Sequence, residues 1–92
     1  MIRSFADKAT RLLFEDRLVP AWSNIERPAR RKLLLLDAAR SLADLRVPPG
    51  NRLEALRGDR EGRHSIRIND QWRICFRWSE DGPHDVEIVD YH

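Results

Sequence analysis

The sequence predicts one α+β domain, with two helices first and an antiparallel sheet after them. Three observations predict it. The chain has 92 residues, 41% of them apolar and 35% charged, a balance that suits one small globular domain and argues against disorder. Apolar residues recur on a helical period up to about residue 40 and on a two-residue period from residue 63 onward. Between the two patterns, Val47-Pro48-Pro49-Gly50-Asn51 stops helical structure outright.

The elements follow in chain order. Residues 2–5 are β-prone and predict a short edge strand. Asp7 offers a carboxylate to cap a helix carrying Ala9, Leu12 and Leu13 to about residue 15. Ile25, Ala29, Leu33, Leu36 and then Ala39 or Arg40 follow the helical period of a second helix, an apolar stripe. Pro28 must fall in its first turn, where a missing N–H matters little, so this helix starts between residues 24 and 27 and ends near Ser41. Its outer face, Arg27, Arg30, Arg31 and Asp37, reads as solvent-facing, with a partner protein as the competing reading. Leu53 and Leu56 are expected to plug the core from a short turn, and residues 58–62 to form a loop.

Then the period becomes two. His64, Ile66 and Ile68 alternate with Arg63, Ser65 and Arg67, while Trp72, Ile74, Phe76 and Trp78 alternate with Arg73, Cys75 and Arg77. A three-residue turn at Asn69-Asp70-Gln71 pairs Ile68 with Trp72 and Ile66 with Ile74. It also sets Arg67 beside Arg73 and Arg63 beside Arg77. Residues 79–83 are expected to turn, and residues 85–91 to form the last strand. Strict alternation puts Asp90 and His92 on the apolar parity, so they lie beyond its edge or a bulge re-aims them. Trp72 and Trp78 read as core, His64 as a core-edge residue, His84 as a solvated turn residue, and Trp22 as core or partner contact.

Composition excludes several classes. The longest apolar run is residues 33–36, far short of the roughly 20 residues that span a bilayer, and no apolar leader stands at the N-terminus. No membrane association is expected, and a cytoplasmic location is. A single cysteine, Cys75, allows no internal disulfide and suits a reducing compartment. Cys75 and the three histidines match no zinc spacing, so neither a metal nor another cofactor is expected.

Charge is distributed unevenly. Residues 46–77 carry eight arginines against four acids, whereas residues 78–92 carry five acids and no Lys or Arg. A basic middle followed by an acidic tail suggests an anionic partner. Four arginines on one sheet face repel one another, so something anionic should offset them. Two readings stay open: an external anion, or internal carboxylates from Asp85, Glu87 or Asp90. The chain then reaches Asp90-Tyr91-His92, a carboxylate, a phenol and an imidazole in a row. Acid–base groups beside fixed cations are what cleavage of a phosphodiester needs.

The segments Gly58-Asp59-Arg60-Glu61-Gly62, Ser65-Ile66, Trp72-Arg73 and Asp90-Tyr91-His92 together resemble the HigB toxins, the killer-protein branch of the RelE/ParE superfamily of toxin–antitoxin systems. The stretch from Val47 through Leu56, with Asn69-Asp70-Gln71-Trp72-Arg73, is similar to the subgroup related to the GraT toxin. The resemblance covers the whole chain. It implies a RelE/ParE-like fold of two N-terminal helices packed on a small, twisted, mainly antiparallel sheet. It also implies a ribosome-dependent endoribonuclease that cuts mRNA in the decoding site. The implied partners are a HigA-type helix-turn-helix antitoxin, the ribosome with bound mRNA, and operator DNA reached through the toxin–antitoxin complex.

Carried over by position, the catalytic candidates are Arg73, Asp90, Tyr91 and His92, with Arg57, Arg67, Arg77 and Glu54 as RNA-binding candidates. Some relatives carry histidine where this chain has Glu54, and lysine where it has Arg57. The second difference keeps a positive charge; the first puts an acid near the site.

RNA brings its own nucleophile, the 2′-hydroxyl. His92 is the best proton carrier, since an imidazole titrates near pH 6.5. Arg73 is the best clamp for the phosphorane oxygens. Arg57 and Arg67 are placed to bind flanking phosphates. Tyr91 stacks on a base or orients a phosphate, and Asp90 fixes His92 or an arginine. Two rivals remain: an inhibitor of another target such as DNA gyrase on the same fold, and a non-enzymatic nucleic-acid-binding module.

Overall fold

In the computed structural model, which describes residues 1–91, helix α1 spans Lys8–Phe14 and helix α2 spans Glu26–Ala38. Four strands follow: β1 (Glu54–Ala55), β2 (His64–Arg67), β3 (Trp72–Ser79) and β4 (Gly82–Asp90). They form one antiparallel sheet in the order β1-β2-β3-β4. The N-terminal segment runs beside β4 in the parallel sense, through a bridge from Phe5 to Val86. The expected edge strand at residues 2–5 is thus present as a short pairing, joined by Arg3 N–H to the Pro83 carbonyl at 2.8 Å.

Asp7 caps α1, its carboxylate accepting from the Thr10 N–H at 2.6 Å. Thr10 itself is fully buried, and its hydroxyl accepts from the Ile88 N–H at 3.1 Å, tying α1 to β4. α2 carries Pro28 in its first turn, as its sequence requires. The helix ends three residues before the expected Ser41. Beyond it, the Asp44 carboxylate accepts from the N–H groups of Arg40 (2.9 Å) and Ser41 (3.2 Å), capping a new 3₁₀ turn over Leu42–Arg46. Those N–H groups, Arg40 first, also hold the Asp44 carboxyl below its ordinary range. Ala39 is already extended, yet it remains in the core.

The core lies between the helices and one face of the sheet. Leu13, Ile25, Ala29, Leu33 and Leu36 meet Ile66, Ile74, Phe76, Val86 and Ile88. Burying each large side chain contributes about 1.5–3 kcal/mol. Trp22, Trp72 and Trp78 pack against this core, with Trp22 and Trp72 edge-on at 6.3 Å. His64 lies at the core margin, stacked on Phe76 at 6.3 Å.

Three local expectations need correction. The outer face of α2 is not all solvent-facing. Arg30 donates to the carbonyls of Leu13 (3.1 Å) and Arg17 (2.9 Å) and pairs with Glu26, while Asp37 accepts from the Ile2 N–H at 2.8 Å. Residues 54–55 form a strand rather than part of a turn, since Glu54 pairs with Ser65 and Ala55 with His64. The turn expected over residues 79–83 closes sooner. Ser79 pairs with Gly82, and the Asp81 carboxylate accepts from both the Ser79 hydroxyl and the His84 ring. His84 is therefore a strand residue with a partner rather than a solvated turn residue.

One bulge sets the parity of β4. Cys75 pairs with Glu87 and Arg77 with His84, so Asp85 and Val86 together oppose Phe76. Asp85 takes a left-handed φ of 52° to accommodate the extra residue. This shift lets Pro83, before the bulge, and Val86 and Ile88, after it, all reach the buried side.

Candidate active site

The hairpin register agrees with the sequence reading: Ile66 pairs with Ile74, and Arg67 with Arg73. Arg63 lies outside β2, so its pairing with Arg77 is not made. The face turned away from the helices carries a row of Glu54, Ser65, Cys75 and Glu87 across all four strands.

Arg73 is the centre of this face and is only 6% exposed. Its Nε donates to Ser65 Oγ at 2.8 Å, and its Nη2 donates to the carbonyls of Arg52 (2.5 Å) and Ser65 (3.3 Å). Arg52 presents its carbonyl from a left-handed turn, φ 45° and ψ 58°. Three internal bonds therefore fix the guanidinium and leave Nη1 as its outward donor. Glu54 Oε1 stands 3.9 Å from Nη1, and the Tyr91 ring lies under the guanidinium, 5.6 Å from Cζ to centroid.

Backbone pairing puts the other candidates around this centre. Asp90 opposes Trp72 and accepts from Gln71 Nε2 at 3.1 Å, and the Tyr91 N–H donates to the Gln71 carbonyl at 2.6 Å. No bulge lies between Ile88 and Asp90. Asp90 keeps the apolar parity and is exposed at its rim, whereas Tyr91 takes the arginine side. His92 lies outside the described residues.

The remaining arginines separate into two groups. Glu87 takes Arg63 (3.5 Å) and Arg60 (3.8 Å), and Asp85 takes Arg77 (3.3 Å). Arg77 is four residues along β3 from Arg73, roughly 13 Å at the usual strand rise, so the two are not brought together. Arg67 stays beside Arg73 and pairs with Asp70 on the exposed turn. Arg57 is exposed just before the 3₁₀ turn of Gly58–Arg60 and makes no ion pair among the described residues. Cys75 is a free thiol, fully buried beneath these side chains, and its burial pushes the thiol pKa above the ordinary value.

Sequence reasoning missed Ser65 and the Arg52 carbonyl as supports of Arg73. Ser65 was signalled by its place between two arginines on the ladder. A carbonyl presented by a left-handed turn leaves no such sign.

A family model described as the RelE-like toxin of the type II toxin–antitoxin system HigB matches residues 3–92. The chain belongs to the HigB-like toxin family. It is 48% identical over 82 residues to Toxin HigB-1 of Vibrio cholerae serotype O1 (strain ATCC 39315 / El Tor Inaba N16961), covering 85% of this chain and 84% of that protein. It is also 35% identical over 95 residues to Endoribonuclease HigB of Proteus vulgaris, covering the full length of both. This HigB-like chain is thus the toxin of a type II pair, and membership implies an antitoxin partner. Its helices packed on an antiparallel sheet accord with the RelE-like fold.

Proposed function

We propose that this HigB-like toxin is an endoribonuclease that cuts mRNA on the ribosome by metal-independent acid–base chemistry. The observation that carries the reading is Arg73: a guanidinium locked by three internal bonds, offering Nη1 beside Tyr91. A donor fixed before substrate arrives stabilises developing charge without reorganising. The relative named Endoribonuclease HigB, aligned along its whole length, supports the same activity.

In this reading the substrate 2′-oxygen attacks the adjacent phosphorus, and its proton passes to a base. Arg73 Nη1 binds a non-bridging oxygen as negative charge accumulates there. The bond to the 5′-oxygen then breaks, and an acid protonates that oxygen, leaving a cyclic phosphate and a 5′-hydroxyl. His92 is the proposed proton carrier, since an unperturbed imidazole changes charge near neutral pH. Tyr91 packs against the Arg73 guanidinium and offers its exposed ring to a base. Asp90 orients its neighbours at the sheet end. Arg57 and Arg67 bind flanking phosphates, and Glu54 competes with the phosphate for Nη1. Arg77, already held by Asp85 at 3.3 Å, contributes general positive potential.

The antitoxin is proposed to be a HigA-type helix-turn-helix protein whose complex with the toxin binds operator DNA. The site of action is the cytoplasm, where translating ribosomes are. No helix among the described residues is long and apolar enough to cross a membrane.

The test maps mRNA ends in a translating extract and in the same extract stripped of ribosomes. Cuts that require ribosomes, and that disappear on deletion of His92, are expected. Intact mRNA together with loss of DNA supercoiling activity would instead make the chain a gyrase inhibitor. Salt-sensitive RNA binding without any cleavage would make it a binding module.

A further inference from the structure

Acids neutralise one end of the arginine face and leave the other open. Glu87 and Asp85 hold Arg60, Arg63 and Arg77. At the other end, the only acidic partner of Arg67 among the described residues is Asp70, whose side chain is fully exposed on the hairpin turn. Lys32 of α2 reaches toward this end at Asn51, the neighbour of Arg52, whose carbonyl holds Arg73. It makes no ion pair among the described residues; its Nζ donates instead to the neutral Oδ1 of Asn51 at 2.5 Å. Burial first, then the positive charges of Arg31 and Arg67, lower the pKa of this ammonium below its ordinary value. Arg31 is exposed and likewise makes no ion pair among the described residues.

This lysine is unlike a free surface lysine, which keeps its rotamer freedom and its hydration. Asn51 is fully buried, and its Nδ2 donates to the carbonyls of Leu45 (3.1 Å) and Val47 (3.2 Å), which fixes where its Oδ1 points. Lys32 is therefore tethered through one of its three N–H groups, with two left to donate. Gathering Arg31, Lys32 and Arg67 works against folding, so an anion that bound there would stabilise the assembly. Arg67 is the cross-strand partner of Arg73, which makes the cluster continuous with the candidate active site.

We propose that Lys32, with Arg31 and Arg67, forms a second phosphate-binding site that holds the RNA backbone outside the scissile bond. This rests on the endoribonuclease reading. A single-stranded RNA is the favoured occupant because it supplies anions in a line. Arg67 adjoins Arg73 across the strands, and Asn51, which holds Lys32, precedes Arg52, whose carbonyl holds Arg73, so a strand bound at Arg73 continues onto the cluster. An acidic segment of the antitoxin needs no such continuity with Arg73.

The test compares the wild-type protein with the double variant Arg31→Gln/Lys32→Gln. Glutamine at position 32 removes the charge and keeps an N–H donor on the Asn51 side. The probe is a short single-stranded 2′-O-methyl oligonucleotide, which binds but cannot be cut. Each phosphate that is no longer neutralised should lower the slope of log affinity against log salt by about 0.7, so the double variant should fall short of the wild type by about 1.4. Cleavage of ribosome-bound mRNA should suffer chiefly in KM rather than in kcat. A control that removes two remote charges, Arg11→Gln/Arg17→Gln, should keep the wild-type slope.

An unchanged slope in the double variant, with wild-type cleavage intact, overturns the site and leaves the nuclease reading standing. An equal drop in the control reduces the effect to overall charge and also overturns it. So does loss of antitoxin binding with an unchanged RNA slope, which would assign the cluster to a protein. A wild-type protein that neither binds the oligonucleotide nor cuts mRNA overturns both readings together.

Discussion

Arg73 Nε meets Ser65 Oγ at 2.8 Å, although the two are not opposite one another in the sheet. Ser65 pairs with Cys75 and Arg73 with Arg67, so the Arg73 side chain runs diagonally, away from its like-charged partner and toward a hydroxyl. The repulsion expected from the sequence is relieved by direction as well as by acids. The same diagonal gives Arg73 a structural role beside any chemical one.

Arg73→Ala should accordingly lose both cleavage and stability. The variant leaves the Arg52 carbonyl and both Ser65 acceptors without their donor, which costs about 1–3 kcal/mol. Ser65→Ala separates the two effects. It removes one acceptor, costs about 1 kcal/mol, and should slow cleavage several-fold because the guanidinium is less fixed. Ser65→Thr restores the hydroxyl and should restore the rate. Denaturant melts alongside single-turnover cleavage read both quantities. Full activity in folded Ser65→Ala would show that Arg73 needs no such support.

Gly82 carries a prediction about folding alone. Its φ of +124° is strained for any other residue, and an added Cβ would sit 2.6 Å from the Met1 carbonyl oxygen. Gly82→Ala should cost about 1–3 kcal/mol from backbone strain and push the N-terminal segment off the β4 hairpin. Faster hydrogen exchange at the Arg3 and Ala6 N–H groups would report it.

Acid should open the β3–β4 turn before it unfolds the core. Hydrogen bonds from Ser79, then from His84, lower the Asp81 pKa from 3.8 to about 2. A depressed carboxyl favours the folded turn fully above pH 3.8, and that contribution fades as pH falls toward 2. Carbon NMR of the Asp81 carboxyl should show the low midpoint, and Asp81→Asn should make the turn insensitive to pH across that window. A midpoint at the ordinary value would refute the hydrogen-bonded turn.

Cys75 should be a silent thiol until the domain opens. Burial, the largest influence, raises its pKa above 9.0, which suppresses the reactive thiolate. Alkylation near neutral pH should therefore follow global unfolding and rise with denaturant. Rapid labelling of the native protein would contradict the burial of this strand.

What the sequence disclosed, it disclosed through periodicity. The pairing of Ile66 with Ile74 was legible because a half-buried strand alternates and the turn length fixes its register. The start of α2 was legible from Pro28, but its end was not. Ala39 continues the apolar stripe in extended backbone, and a buried residue need not be a helical one. β1 was hidden because Glu54 and Ala55 are both exposed and make too short a run to show a pattern. The bulge at Asp85 was hidden because no residue type announces a left-handed aspartate. At the candidate site, Arg73 and Tyr91 stood out by chemistry. The tether of Lys32 through Asn51 joins residues 19 apart, a separation that no local pattern spans.

The pairing of the N-terminal segment with β4 limits how this toxin can be captured. Many partners bind by adding a strand to an exposed sheet margin. Here one margin is two residues long, and at the other the backbone groups of Pro83 and Val86 are already taken by residues 3–6. A newcomer must evict that segment to use the part of β4 it covers, and β1 offers only two residues of ladder. Stray toxin copies meet the same barrier and so do not readily zip together through their sheets. A partner that leaves that segment in place relies more on side-chain surfaces, which are specific to one sequence in a way that a bare backbone ladder is not.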